Sequence, residues 1–209
     1  MAKSLKDLYL VYESANVAVY NVVVGPYANN VYTIYSKSTG DGILIDAADE
    51  HELLLQICNK YKISKVLETH GHFDHIQAVP EIREAGISVF IAKADTYMLP
   101  TYDELISDTQ EITVGDVTLH AMHTPGHTPG SICFKLKDEP VFFSGDTLFP
   151  GGPGNTKLPG SNFKTIIESI ETRIFKELAD NTLVLPGHGA QTTIGTEKPH
   201  LDEWIQRGW

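Results

Sequence analysis

Residues 68 to 76 read ETHGHFDHI, which places His70, His72, Asp74 and His75 within six positions. The stretch begins where the strand-like KVLET (65 to 69) stops, so a fold that uses these side chains must gather them at the end of a strand. Extended chain alternates sides, so His70 and His72, two apart, point the same way and can hold one metal jointly. Asp74 and His75 follow where the chain must turn, so their side chains can diverge from that pair and address a second ion close by. Imidazole and carboxylate suit zinc, iron or manganese, and the lack of thiolate argues against a purely structural zinc knot. The bland alternative is a polar surface loop that happens to be rich in histidine.

Three further stretches weigh against it. HTPGHTPGS (123 to 131) puts His127 in a Gly-Pro loop between strands; FFSGDTLF (142 to 149) ends an apolar strand in Asp146; VLPGHGA (184 to 190) does the same with His188. Each isolated ligand type lies just beyond a strand, where open sheets commonly place their functional groups.

The surrounding pattern supplies the strands. NVAVYNVVVG (16 to 25), NVYTIYS (30 to 36) and GILIDA (42 to 47) form a β-meander, DEHELLLQICNKY carries a helical stripe at 53, 54, 57, 58 and 61, and Pro80 opens a helix that Gly86 ends before the strand ISVFIA. Between 110 and 145 there are strands without helices. SNFKTIIESIETRIF then predicts one helix with Phe163, Ile166, Ile167, Ile170 and Ile174 on a face, followed by the strand TLVLP (182 to 186). Two β-rich halves supplied with helices predict an α/β architecture of sheets packed together with helices outside.

Taken together, HxHxDH followed by GHT, GD and GH blocks resembles the metallo-β-lactamase superfamily, and the spacing of the four blocks resembles its glyoxalase II-like branch, over about residues 16 to 195. The resemblance implies an αββα sandwich of two mixed β-sheets, a single domain spanning 1–209, with the active site along one edge of both sheets. It further implies that His70, His72 and His127 bind a first metal and Asp74, His75 and His188 a second. Asp146 and a shared hydroxide would bridge the two, and Asp46, ending ILID, would support the site from behind. The implied cofactors are two divalent ions, zinc foremost, with iron or manganese also suitable. His51 and His200 have charged neighbours on predicted helices and read as solvated; His120 and His123 flank a strand and read as packing or loop residues.

Composition narrows the partners. A formal charge of -11 repels phosphate backbones, so neither a nucleic-acid nor an anionic-membrane partner is expected. No run of eighteen apolar residues and no leader-like N-terminus is present, so the expected location is cytoplasmic. Cys58 and Cys133, the two cysteines, lie in apolar segments far from any CxxC spacing and read as buried thiols.

The chemistry that follows is hydrolysis by activated water, since GxSxG is absent and two ions can share a hydroxide while polarising a carbonyl. The resemblance implies a thioesterase acting on S-lactoylglutathione or a related small acyl-thiol, with Asp74 also placed to orient the nucleophile or handle its proton. Lys157, on the Gly/Pro-rich FPGGPGNTKLPGSNF, is the candidate contact for a substrate carboxylate. After His188 only GTEKPHLDEWIQRGW offers a short helix, from which a loose hold on the thiol part is expected. The alternatives are a mononuclear-iron persulfide dioxygenase and a lactonase or other metallo-hydrolase of the same fold. A flavodiiron-type module is disfavoured by histidine rather than glutamate at position 72. A non-catalytic metal binder is disfavoured because seven ligands leave open positions on two ions.

Overall fold

The computed structural model describes residues 3–208; Met1, Ala2 and Trp209, which belong to the terminal stretches considered above, lie outside the described residues. Strands β1 (Tyr9–Glu13), β2 (Val17–Val24), β3 (Asn29–Ser36), β4 (Gly42–Ile45), β5 (Ile63–Leu67), β6 (Ser88–Ala92) and β7 (Glu104–Ile106) form one sheet in that order. The first four pair antiparallel, as short connections allow, whereas β4 to β7 pair parallel. Parallel pairing needs crossovers, which α1 (His51–Lys60) supplies between β4 and β5, and α2 (Phe73–Ile76) with α3 (Val79–Glu84) between β5 and β6.

The second half repeats the scheme. Strands β8 (Glu111–Val114), β9 (Val117–His123), β10 (Ile132–Leu136) and β11 (Val141–Gly145) are followed by a small ribbon, β12 (Leu148–Phe149) and β13 (Gly152–Pro153), then by β14 (Leu183–Pro186) and β15 (Thr192–Thr193). The second sheet runs β15-β14-β11-β10-β9-β8, parallel only where β11 meets β14. That crossover carries α4 (Phe163–Ser169), and the chain ends in α5 (Ile194–Glu197) and α6 (Leu201–Arg207).

Alternation along each strand divides the apolar residues among three layers. Val17, Val19, Ile34, Ile43 and Ile45 of the first sheet meet Leu119, Phe134, Val141, Phe143 and Leu185 of the second between the sheets. Their neighbours Val22, Val31, Leu44 and Val89 face outward under Leu54, Ile57 and Ile82 of α1 and α3. Cys133, Phe142 and Val184 likewise face Ile166, Ile170 and Trp204. Strands buried on both faces read as continuous apolar runs, as in ILI of β4 and VFF of β11. At roughly 1.5–3 kcal/mol per fully buried large side chain, these three layers are the main favourable term of the fold. The architecture is the expected αββα sandwich of two mixed sheets.

Two local expectations change. The helix predicted through residue 175 is α-helical only to Ser169; Ile170–Phe175 is a π-helix. The wider turn lets Phe175 join Ile170 and Ile174 against the second sheet. The edge strand β1 also carries no strong sequence signal, because its residues are half-buried or exposed.

Candidate metal centre

The carboxyl ends of β4, β5, β6, β11 and β14 deliver Asp46, the 68–76 motif, Asp95, Asp146 and His188 to one edge of the sandwich. All these strands are ones that pair parallel with a neighbour, so their ends point the same way. His127 arrives from the loop between β9 and β10. Potential ligand atoms of His70, His72 and His127 lie within 4.8 Å of one another; so do those of Asp74, His75 and His188, and those of His70, His75 and Asp146. All seven side chains singled out as ligands therefore converge.

Asp146 stands between the first two groups. Its Oδ2 is 3.5 Å from His127 Nε2 and 3.6 Å from His188 Nε2, and its Oδ1 is 3.5 Å from His75 Nε2. His70 and His72 owe their convergence to something other than strand pleating. β5 stops at Leu67, so both lie on a loop, and their rings still approach to 4.7 Å.

The ring nitrogens are sorted by hydrogen bonds to the surroundings. His127 Nδ1 donates to the Asn155 carbonyl at 2.8 Å, and His188 Nδ1 to the Tyr27 carbonyl at 3.0 Å. His75 Nδ1 meets Asp46 Oδ2 at 2.8 Å, while His70 Nδ1 meets Thr69 Oγ1 at 3.0 Å. In each of these four the Nε2 is left facing the centre, the arrangement that orients an imidazole for metal binding. His72 differs, presenting Nδ1 at 2.9 Å from His127 Nε2. Asp46 stands behind the cluster: besides His75 it accepts from Thr69 N at 2.7 Å and Thr69 Oγ1 at 2.9 Å. To do so it adopts φ 62°, a left-handed conformation that aspartate tolerates better than most residues.

Burial and the neighbouring imidazoles push His70 well below its ordinary value, and burial with the nearby His127 pushes His72 down to about 4. Both imidazoles are therefore neutral at physiological pH, the form that can ligate a metal. Burial opposes a charge on His75 too, but Asp146 and Asp46 outweigh it and raise this imidazole to about 9. Burial likewise works against the Asp74 carboxylate, yet His188, His75 and Asn29 hold it well below the usual carboxylate range. The carboxylates thus draw positive charge into the centre. The buried His70 Nε2 and Asp146 Oδ1 have no hydrogen-bond partner. Orphaned acceptors, neutral imidazoles and converging carboxylates fit divalent cations.

Lys157 is exposed on its loop, and with Asn155, Arg207 and Gly208 it lines a cavity of about 640 Å³. Asn155 joins cavity to centre, because its carbonyl holds His127. The bystander histidines stay apart: His200 is exposed beside Glu203, and His123 bonds the Pro129 carbonyl through Nε2 at 2.9 Å. Both cysteines are buried.

Sequence reasoning missed several supporting residues. Asn29 donates to Asp74 Oδ2 at 3.0 Å, and Asn30 donates to the carbonyls of Pro186 and Gly189, fastening the loop of His188. Glu68 is fully buried, accepting from Ala47 N at 3.1 Å. Arg207 reaches the cavity from the far end of the chain. Asp95 alone had a usable signal, since it follows the apolar run SVFIA much as Asp46 follows ILI.

Comparison with known proteins agrees with this geometry. The family model described as the metallo-beta-lactamase superfamily matches residues 24–188. A hydroxyacylglutathione hydrolase, GloC, of Haemophilus influenzae is 32% identical over 177 residues, 74% of this chain and 83% of the relative. Among solved structures, the B3 metallo-beta-lactamase BLEG-1 superposes with a TM-score of 0.80 at 30% identity, covering 87% of this chain and 97% of the other. A protein solved in a di-iron-bound form, TTHA1623, gives a TM-score of 0.76 at 29% identity over 85% and 96%. The chain belongs to the metallo-β-lactamase superfamily.

Proposed function

We propose that this protein is a binuclear metal-dependent thioesterase of the glyoxalase II kind, cleaving S-lactoylglutathione or a related small acyl-thiol. The carrying observation is the pair of three-residue groups, His70/His72/His127 and Asp74/His75/His188, with the Asp146 carboxylate between them. The similarity to a hydroxyacylglutathione hydrolase supports the choice of thioester.

In this reading each group would hold one divalent ion, and the Asp146 carboxylate would be available to either. Zinc is the leading candidate; iron and manganese suit the same donors, and a relative solved with two irons keeps iron in view. Such a pair of ions supplies Lewis acidity and an attacking water of lowered pKa. The chain's own residues do the rest. Asp46 fixes the His75 tautomer, and the carbonyls of Asn155 and Tyr27 fix those of His127 and His188. Asp74, kept ionised by His188 and Asn29, would be placed to orient the attacking water. Lys157, at the cavity beside His127, meets a carboxylate of the thiol carrier. A cytoplasmic setting and small-molecule partners complete the proposal; among the described residues no helix is long and apolar enough to cross a membrane.

Steady-state hydrolysis of lactoyl thioesters of glutathione, cysteine and coenzyme A, beside a lactone and a β-lactam, tests the assignment. The thioesters should be turned over with the highest kcat/KM. Preference for the lactone, or oxygen consumption with glutathione persulfide by protein holding one iron per chain, would overturn it.

A further inference from the structure

Asp95 touches none of the candidate ligand side chains, yet it joins the two loops that carry three of them. It ends a short 3-10 turn, Lys93–Asp95, just beyond β6, and is fully buried. Its Oδ2 accepts from Gly71 N at 2.9 Å and from Thr128 Oγ1 at 2.6 Å, and its Oδ1 accepts from Gly130 N at 2.7 Å. Gly71 lies between His70 and His72; Thr128 directly follows His127.

We propose that Asp95 is a positioning residue that sets the spacing between the His70/His72 loop and the His127 loop, and so defines the site of one ion without affecting the other. The inference rests on reading these histidines as metal ligands. Three observations carry it. First, the strands bring both loops to the edge but do not fix their histidines: β5 ends at Leu67 and β9 at His123, leaving the histidines beyond both. Ligand atoms must nevertheless be held to within about 0.5 Å for a metal site to be ready-made. Second, Asp95 approaches the His127 loop so closely that its partner there has to be glycine: a Cβ on Gly130 would sit 2.5 Å from the Asp95 carboxyl carbon. Gly71 is packed as tightly, since a Cβ there would sit 2.9 Å from Met98 Cβ and 3.0 Å from the Asp95 main-chain oxygen. Third, among the described residues no lysine or arginine forms an ion pair with Asp95. A buried carboxylate held only by neutral donors is a costly way to stabilise a fold. What its three bonds provide is a rigid link between two loops whose bonded residues lie 24 and 33 to 35 positions from Asp95 in sequence, on opposite sides of it. The resulting separation is the 2.9 Å between His72 Nδ1 and His127 Nε2. Asp74, His75 and His188 are held instead by α2, Asn29, Asp46 and the Tyr27 carbonyl, and none of these contacts involves Asp95.

The test is a zinc titration of chelator-stripped protein, repeated with cobalt(II), whose visible absorption reports ligand geometry, on wild type, Asp95→Asn and Thr128→Val. Asparagine keeps the shape but turns a donor towards one of the loops; valine removes a single bond to Asp95. Wild type should bind two ions. In Asp95→Asn one binding step should weaken by about 10–100-fold, the range for losing an outer partner of a metal ligand. The other step should keep its wild-type affinity, and Thr128→Val should move the same step less. Thermal melting of the stripped proteins separates this from simple destabilisation: a lowered melting temperature with both affinities unchanged, or both weakened alike, overturns the proposal. Should Asp95→Asn not fold, unchanged zinc affinity in Thr128→Val overturns it. Wild-type protein that binds no divalent ion would overturn the metal reading itself and this inference with it.

Discussion

Replacing Asp46 by asparagine should change how the stability of the metal-free protein depends on pH. The carboxylate accepts from His75 Nδ1 at 2.8 Å, and with Asp146 it lifts this fully buried imidazole from 6.5 to about 9. A folded-state pKa above the unfolded one adds stability that is complete below the unfolded value and disappears as pH rises through the folded value. The window is therefore pH 6.5 to about 9. The whole difference corresponds to on the order of 3 kcal/mol, of which Asp46, one of two main carboxylate causes, accounts for roughly half. Asparagine tolerates the left-handed backbone at this position, so the substitution removes charge with little added strain. Wild type should exceed Asp46→Asn by roughly 1–2 kcal/mol more at pH 6.5 than at pH 9.5, in addition to any pH-independent loss. At about 2–4 °C per kcal/mol for a chain of this size, the gap in melting temperature should shrink by several degrees across the window. Thermal or urea melts of chelator-treated protein at a series of pH values measure it. Taking the difference between the two proteins cancels His70 and His72, whose lowered values act in the opposite sense. A gap that stays constant, or widens towards pH 9.5, would refute the pairing of His75 with Asp46 as its origin.

Elemental analysis should find close to two divalent ions per chain, with hydrolysis lost on chelation and restored by zinc. His72→Ala and Asp146→Ala should each reduce kcat/KM by more than about a hundredfold while far-UV circular dichroism stays unchanged. His51→Ala and His200→Ala, outside the cluster, should stay within about twofold of wild type. Lys157→Ala should raise KM for the glutathione thioester by less than about tenfold and leave kcat unchanged, because an exposed ammonium on a loop contributes little; a fall in kcat alone would place Lys157 differently. Burial pushes Cys58 up to about 12 and Cys133 to about 11, so less than roughly one thiol in a thousand is ionised at pH 8. The folded protein should therefore resist thiol reagents at that pH, and both thiols should react once it is unfolded in guanidinium.

Six of the seven converging side chains were legible in sequence because they follow runs that read as strands, and a sheet with parallel strands brings such ends to one edge, whereas His127 was legible from its Gly-Pro loop between two strands. The layers were legible for the same reason: a period of two in ILI or VFF assigns each side chain to a face before any neighbour is known. What sequence could not show depends on groups without identity in the one-letter code. The carbonyls of Tyr27 and Asn155 decide which nitrogen of His188 and His127 faces the centre, and any residue could have supplied them. The bond from Asn29 to Asp74 spans 45 positions, and the close approach of His72 to His127 spans 55. No local pattern encodes such distances. They arise when two sheets pack and their loops are drawn together, which is the part played by Asp95. The π-turn at 170 to 175 belongs with them, since the apolar spacing of that segment reads as an ordinary helix until Phe175 must also be buried. Local periodicity thus specified which residues lie at the strand ends. The packing of the two sheets specified how far apart their nitrogen and oxygen atoms stand, because only tertiary contacts set distances between segments remote in sequence.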